Sequence, residues 1–167
     1  MQQNLSKNDE DILSRIFNPD EGFAVVENEE NSTKINYEEK IDKNILTQIK
    51  HDELKAIEFI KNNEFSKGLN IFNKIIETCS TYASVYNNRA NYFRMVNKLD
   101  EALLDLNLAI EYGGGQKLLL GNAYTQRGLI KKELKDELGA ELDFLEGAKF
   151  GNDLAKLEVK NNPYAKL

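Results

Sequence analysis

From residue 46 to residue 161, apolar side chains recur at three- and four-residue spacing, in blocks separated by short polar hinges. That spacing is the mark of amphipathic helices. It predicts helices over 46–61, 65–79, 83–96, 99–112, 117–134 and 136–149, with a last segment near 152–161. The punctuation agrees. Three glycines at 113–115 and Gly151 follow apolar blocks as helix ends do, and no proline lies between Pro19 and Pro163 to break the run. Asp100-Glu101 and Asp136-Glu137 place negative charge where two helices begin, complementing the helix dipole.

The blocks repeat. In the middle hairpin the rhythm runs Tyr86, Ala90, Phe93, Ala102, Leu106, Ala109. Moved back by 34 residues, it reads Ala56, Phe59, Gly68, Phe72, Ile75. Moved forward by 34 plus a four-residue insertion within "GGGQKLLLG", it reads Tyr124, Gly128, Ala140, Phe144, Gly147. The small residues have a physical reason, because paired helices approach closely only where a side chain is missing. Ala56, Ala90 and Gly128 supply that gap in the first helices, and Gly68, Ala102 and Ala140 in the second. Phe72, Leu106 and Phe144 then bury a large side chain between hairpins, worth roughly 1.5–3 kcal/mol each. The expected architecture is all-α: a short right-handed helical solenoid of three helix-turn-helix repeats, 49–82, 83–116 and 121–154, with a C-terminal cap and tail over 155–167. The pattern resembles the tetratricopeptide repeat, with departures. It contains no tryptophan, and Ser80, Gly114 and Asn152 stand where that repeat closes with proline.

Residues 1–48 differ in kind. They hold 11 acidic and 5 basic side chains, which account for the whole formal charge of −6. "SKNDEDILSRIF" reads as a short helix, about 7–17, with an apolar stripe of Ile12, Leu13, Ile16 and Phe17, ended by "NPD". The acidic stretch after it, 21–44, reads as a flexible linker. The stripe needs a surface, and docking on the chain's own solenoid is the favoured expectation.

Composition narrows the chemistry. An acidic chain without a basic stripe is a poor ligand for nucleic acid or anionic membrane. No apolar run approaches the roughly 20 residues of a membrane span. With one cysteine, Cys79, and a polar start, the default is a cytoplasmic monomer. His51 sits among Lys50, Asp52 and Glu53 on a solvated helix face, no spacing suits a metal, and "GGG" follows a helix instead of opening one. Cys79 reads as a small buried hydrophobe, and Asp105 and Glu141 as surface charges. No catalysis and no cofactor are expected.

The candidate site is a peptide-binding groove on the first-helix face, made of Asn87, Asn88, Asn91 and Arg94 beside Thr125, Gln126 and Lys132. Amides there can pair with both donors and acceptors of an extended main chain. The blander reading is that these residues are merely solvated, or that Arg89 and Arg127 brace neighbouring helices.

A closer resemblance rests on "RIFNPD" at 15–20, "ASVYNNRA" at 83–90, "GGG", "QRGL" at 126–129 and "NNPYAKL" at 161–167. In order and spacing these resemble the tetratricopeptide repeat protein 36 family. The resemblance implies a non-enzymatic adaptor that binds the seventy-kilodalton heat-shock chaperone or a client, with links to tyrosine metabolism and cilium assembly. Repeat proteins that grip acidic chaperone tails use a two-carboxylate clamp of Lys and Asn, then Asn, then Lys and Arg. The equivalent residues here are Glu53, Ile57, Asn88, Asn122 and Gln126, and only Asn88 matches. Chaperone binding by a mode other than the clamp is therefore the expectation. The alternative is a structural assembly subunit that acts through its convex face or its N-terminal helix.

Overall fold

The computed structural model describes residues 35–161. Among these the chain folds into seven α-helices and no strand: α1 Lys43–Lys61, α2 Phe65–Thr78, α3 Ala83–Met95, α4 Leu99–Tyr112, α5 Lys117–Glu133, α6 Glu137–Lys149 and α7 Asp153–Asn161. They form three antiparallel hairpins, α1–α2, α3–α4 and α5–α6, stacked in chain order, and α7 lies on the last. The first helices α1, α3 and α5 lie beside one another along one side, with α7 next to α5.

Each first helix ends in the same way. The N–H of Glu64 bonds to the carbonyl of Phe59, that of Lys98 to Phe93, and that of Asp136 to Lys131. These six-to-one bonds close the turn through a left-handed residue: Asn63 at φ 61°, Asn97 at φ 59° and Lys135 at φ 66°. Asparagine tolerates that region and lysine does so less readily, so the third turn carries some backbone strain. Asp136 caps α6 from outside, its side chain accepting from the Gly139 N–H at 3.0 Å.

The small residues sit at the close contacts. A Cβ on Gly68 would lie 2.6 Å from Ile60 Cδ1, and one on Gly128 2.8 Å from Phe144 Cε1. Ala56, Ala90, Ala102, Phe72, Leu106, Ala140 and Phe144 are buried as the repeat predicts. Phe59 and Phe93 are only half-buried, and the Arg89 guanidinium lies 5.6 Å from the Phe93 ring centre.

Charge fixes the stacking between hairpins. Arg89 of α3 grips Asp105 of α4 with two bonds of 2.8 Å and reaches Asn73 of α2 with its third nitrogen. Arg127 of α5 repeats this with Asp143 of α6 and Asn107 of α4, and Lys131 adds a second cation to Asp143 at 2.9 Å. A planar guanidinium can bridge two helices in this way and an ammonium cannot. Burial alone would lower the Arg127 pKa, but the hydrogen bonds and charge of Asp143 raise it. Asp105, expected on the surface, is 3% exposed; the burial is tolerable because its charge is paired. Glu141 is half-buried.

The linker expectation also needs correction. Asp42 caps α1, its carboxylate accepting from the N–H groups of Asn44 and Ile45, so the helix starts earlier than the apolar spacing indicates. Tyr37 packs edge-on against Tyr112 at 5.4 Å, and Ile41 joins the core. Residues 36–42 are thus part of the folded unit and not a tether. The short helix expected over 7–17 lies outside the described residues, as does most of "NNPYAKL".

Candidate functional site

The face built by α1, α3, α5 and α7 carries the predicted groove residues other than Thr125; Asn87 and Gln126 bond to each other, while Asn88 and Lys132 bond to residues outside the predicted set. Asn88 donates its amide to Glu53 Oε1 at 2.8 Å, and Tyr82 donates its hydroxyl to Glu53 Oε2 at 2.8 Å. One repeat on, Gln126 donates to Asn87 Oδ1 at 3.0 Å. At the last junction Asn152 donates to Asn122 Oδ1 at 2.9 Å, while Lys132 pairs with Glu158 of α7 at 2.6 Å. The row of first helices is stitched by side-chain bonds at each step.

Thr125 does not belong to this surface. It is 3% exposed, and its hydroxyl donates to the Gly121 carbonyl at 2.6 Å inside the α5–α6–α7 junction. Asn91 and Arg94 are exposed, and among the described residues their side chains have no hydrogen-bond partner. Asn87, Asn88 and Gln126 are half-buried. Gln126 Oε1 is buried without a partner among the described residues. The reading that Arg89 and Arg127 brace neighbouring helices holds for both.

The clamp positions can now be judged by geometry. Asn88 already holds a carboxylate, and it is the chain's own Glu53. Glu53 is 7% exposed, so its charge depends on the Tyr82 and Asn88 donors. Burial first, and then the Glu53 charge, push the Tyr82 pKa well above the ordinary phenol range. Ile57 is half-buried and Asn122 is bonded to Asn152. No cation stands at any of the five clamp positions.

Two features had no clear signal in the sequence. Glu53 lay beside His51 and Asp52 in what reads as a solvated run, and only Tyr82 and Asn88, 29 and 35 residues away, show that it is buried. Asn73 and Asn107 recur at the repeat period, which could have marked them as partners of Arg89 and Arg127. Cys79 is half-buried with Sγ 3.7 Å from Thr81 Oγ1, and His51 is exposed. Among the described residues, no three His, Cys, Asp or Glu side chains group as metal ligands, and no helix is long and apolar enough to cross a membrane.

Comparison with known proteins agrees with this architecture. No family model matches the chain. Among solved structures, the N-terminal domain of stress-induced protein-1 from C. elegans superposes with a TM-score of 0.62 at 20% identity, covering 71% of this chain and 97% of that one. The first tetratricopeptide repeat domain of Spaghetti (RPAP3), bound to the HSP90 peptide SRMEEVD, gives a TM-score of 0.60 at 19% identity, covering 68% and 89%. Among curated proteins, the tetratricopeptide repeat protein 36 homolog of Drosophila melanogaster is 33% identical, covering 98% of this chain and 89% of the relative. Tetratricopeptide repeat protein 36 of Homo sapiens is 31% identical over 96% and 88%. With identity at that level along almost the whole length of both sequences, and with the repeat geometry above, the chain belongs to the tetratricopeptide repeat protein 36 family.

Proposed function

We propose that the chain is a non-enzymatic cytoplasmic adaptor that holds an extended protein segment along its first-helix face. Asn87, Asn88, Asn91, Arg94, Gln126 and Lys132 would be its contacts. The observation that carries this reading is the Asn87–Gln126 amide pair, which spans two repeats and leaves Gln126 Oε1 buried without a donor. A buried acceptor left unmade is costly, and a main-chain N–H, reached by a turn of the amide, would satisfy it. Exposed Asn91 and Arg94 continue the same face along α3.

The partner class is a chaperone or its client, gripped away from an acidic C-terminus. A structural neighbour binds such a peptide, but here Glu53 fills the place where Asn88 would meet a ligand carboxylate. A second carboxylate at that point would meet the charge of the first. A second reading, assembly through the opposite side, draws on the exposed Leu104 of α4 and Leu138 of α6.

Affinity capture with the full chain and its Arg94→Glu variant tests the choice. Loss of the captured partner on charge reversal supports the first-helix face, whereas unchanged capture supports assembly through the other side. The peptide SRMEEVD should bind weakly or not at all. Micromolar binding that Asn88→Ala abolishes would defeat the non-clamp mode.

A further inference from the structure

The first hairpin leaves a groove of about 380 Å³ between α1 and α2. Ile49 and Ile75 form its floor and Ile45 and Ile71 its walls, and Lys74, Lys55 and Asp52 lie on its rim, the last two 3.8 Å apart. The repeat shows what this groove is. Moved on by 34 residues, Ile49, Lys55, Ile71 and Ile75 become Ala83, Arg89, Asp105 and Ala109. In the second hairpin Arg89, held by Asp105, meets the preceding helix α2, whose Asn73 accepts from it. Ala83, Asp105 and Ala109 are buried there. The groove is therefore a stacking socket with no helix in front of it among the described residues. A solenoid end ordinarily turns a polar face outward, yet this one presents isoleucine where the next repeat has Asp105.

We propose that residues 9–17 of this same chain fill the socket as an N-terminal cap. In a helical conformation the stripe Ile12, Leu13, Ile16 and Phe17 would lie on one side and face the four isoleucines. Asp9, Glu10 and Asp11 precede that stripe, and they would meet Lys55 and Lys74. Where the chain leaves the described structure also fits. Tyr37 rests on Tyr112, which is the repeat equivalent of Thr78 on the edge of the groove. The tether thus starts one repeat step from the socket, on the order of 10 Å away. A chain of 17 residues, the number between Phe17 and Ile35, is long enough to reach about 20–25 Å by random-coil scaling. This inference concerns the end of the stack and does not depend on what binds the first-helix face.

Amide exchange on the full-length protein tests it. Exchange across residues 12–17 should be slowed at least about tenfold relative to a free peptide of residues 7–20, and equally at every protein concentration. Ile45→Asp, at an exposed wall, should return it to the free rate. Free-peptide rates in the unaltered protein would overturn the proposal, as would protection that survives Ile45→Asp. Protection that rises with concentration would also overturn it, by assigning the socket to a second copy. Should Ile45→Asp lose its helical circular dichroism, a photo-crosslinking residue in place of Phe17 provides the readout. Crosslinks within one chain to 45–55 or 71–78 are expected. Crosslinks elsewhere, or only between chains, would overturn the proposal.

Discussion

The first and third hairpins share a fold and a register but close their ends in opposite ways. In the third, α7 covers the outer side and seats Ala155 against Gly147, and Tyr124 stacks on Phe150 with centroids 5.8 Å apart. On the side that meets Asn107 of the second hairpin, Asp143 holds Arg127 and Lys131. In the first, Lys55 and Ile71 stand where the later repeats carry Arg and Asp, and among the described residues nothing covers the isoleucine groove. At the same repeat position the residue shrinks from Ile75 through Ala109 to Gly147, and the last of these meets Ala155 of α7. Close, charged and small packing admits one partner in one register. A broad apolar socket sets register less tightly, because burial of apolar surface is non-directional. The C-terminal end is built to stay shut.

The comparison breaks most sharply at the ion cluster. Asp143→Ala leaves Arg127 and Lys131 without their carboxylate in a mostly buried site, and should cost about 3–5 kcal/mol. Asp105→Ala strands only Arg89 and should cost less. Urea unfolding measures both, and equal losses would mean that Lys131 contributes nothing to the difference.

A smaller effect is expected where α7 meets α6. A Cβ at Gly147 would lie 2.6 Å from Thr125 Oγ1 and 3.0 Å from Ala155 Cβ, so Gly147→Val should cost about 1–3 kcal/mol by overpacking. At the equivalent position of the open end, Ile75→Val only trims a floor and should cost about 0.5–1.5 kcal/mol. If the Gly147 variant unfolds at the same urea concentration as the parent, α7 is not held by this contact.

The smallest effect is alkaline. Tyr82 and Tyr124 have pKa values raised above the phenol value of 10.0, chiefly by burial, with a neighbouring carboxylate adding to it. The unfolded chain releases those protons near pH 10 while the folded chain keeps them, so it binds more protons than the unfolded state. Stability should therefore be full below about pH 10 and fall as pH rises beyond it. Thermal melts from pH 8 to pH 11 should show the decline, with a shallower slope in Tyr82→Phe. An unchanged slope would mean that Tyr82 titrates alike in both states.

Helix positions, the 34-residue period, the four-residue insertion and the close-packing positions were legible in the sequence. Each depends on residues three, four or one repeat apart, and regular helices preserve that spacing in space. Ala56, Gly68, Ala102 and Gly128 could be assigned to close contacts from their size alone: both alanines are buried, and even a Cβ would clash at Gly68 and Gly128. What only the tertiary structure decided is the state of the polar residues. Asp105 and Glu53 read as surface charges and are buried, Thr125 reads as a groove hydroxyl and serves Gly121, and Asn36 to Asp42 read as linker and pack on the core. A polar side chain can be buried only where a partner meets it, and those partners arrive from other helices: Arg89 from 16 residues away, Asn88 from 35. Local pattern reports that a residue is polar, while the fold decides whether water or another side chain satisfies it.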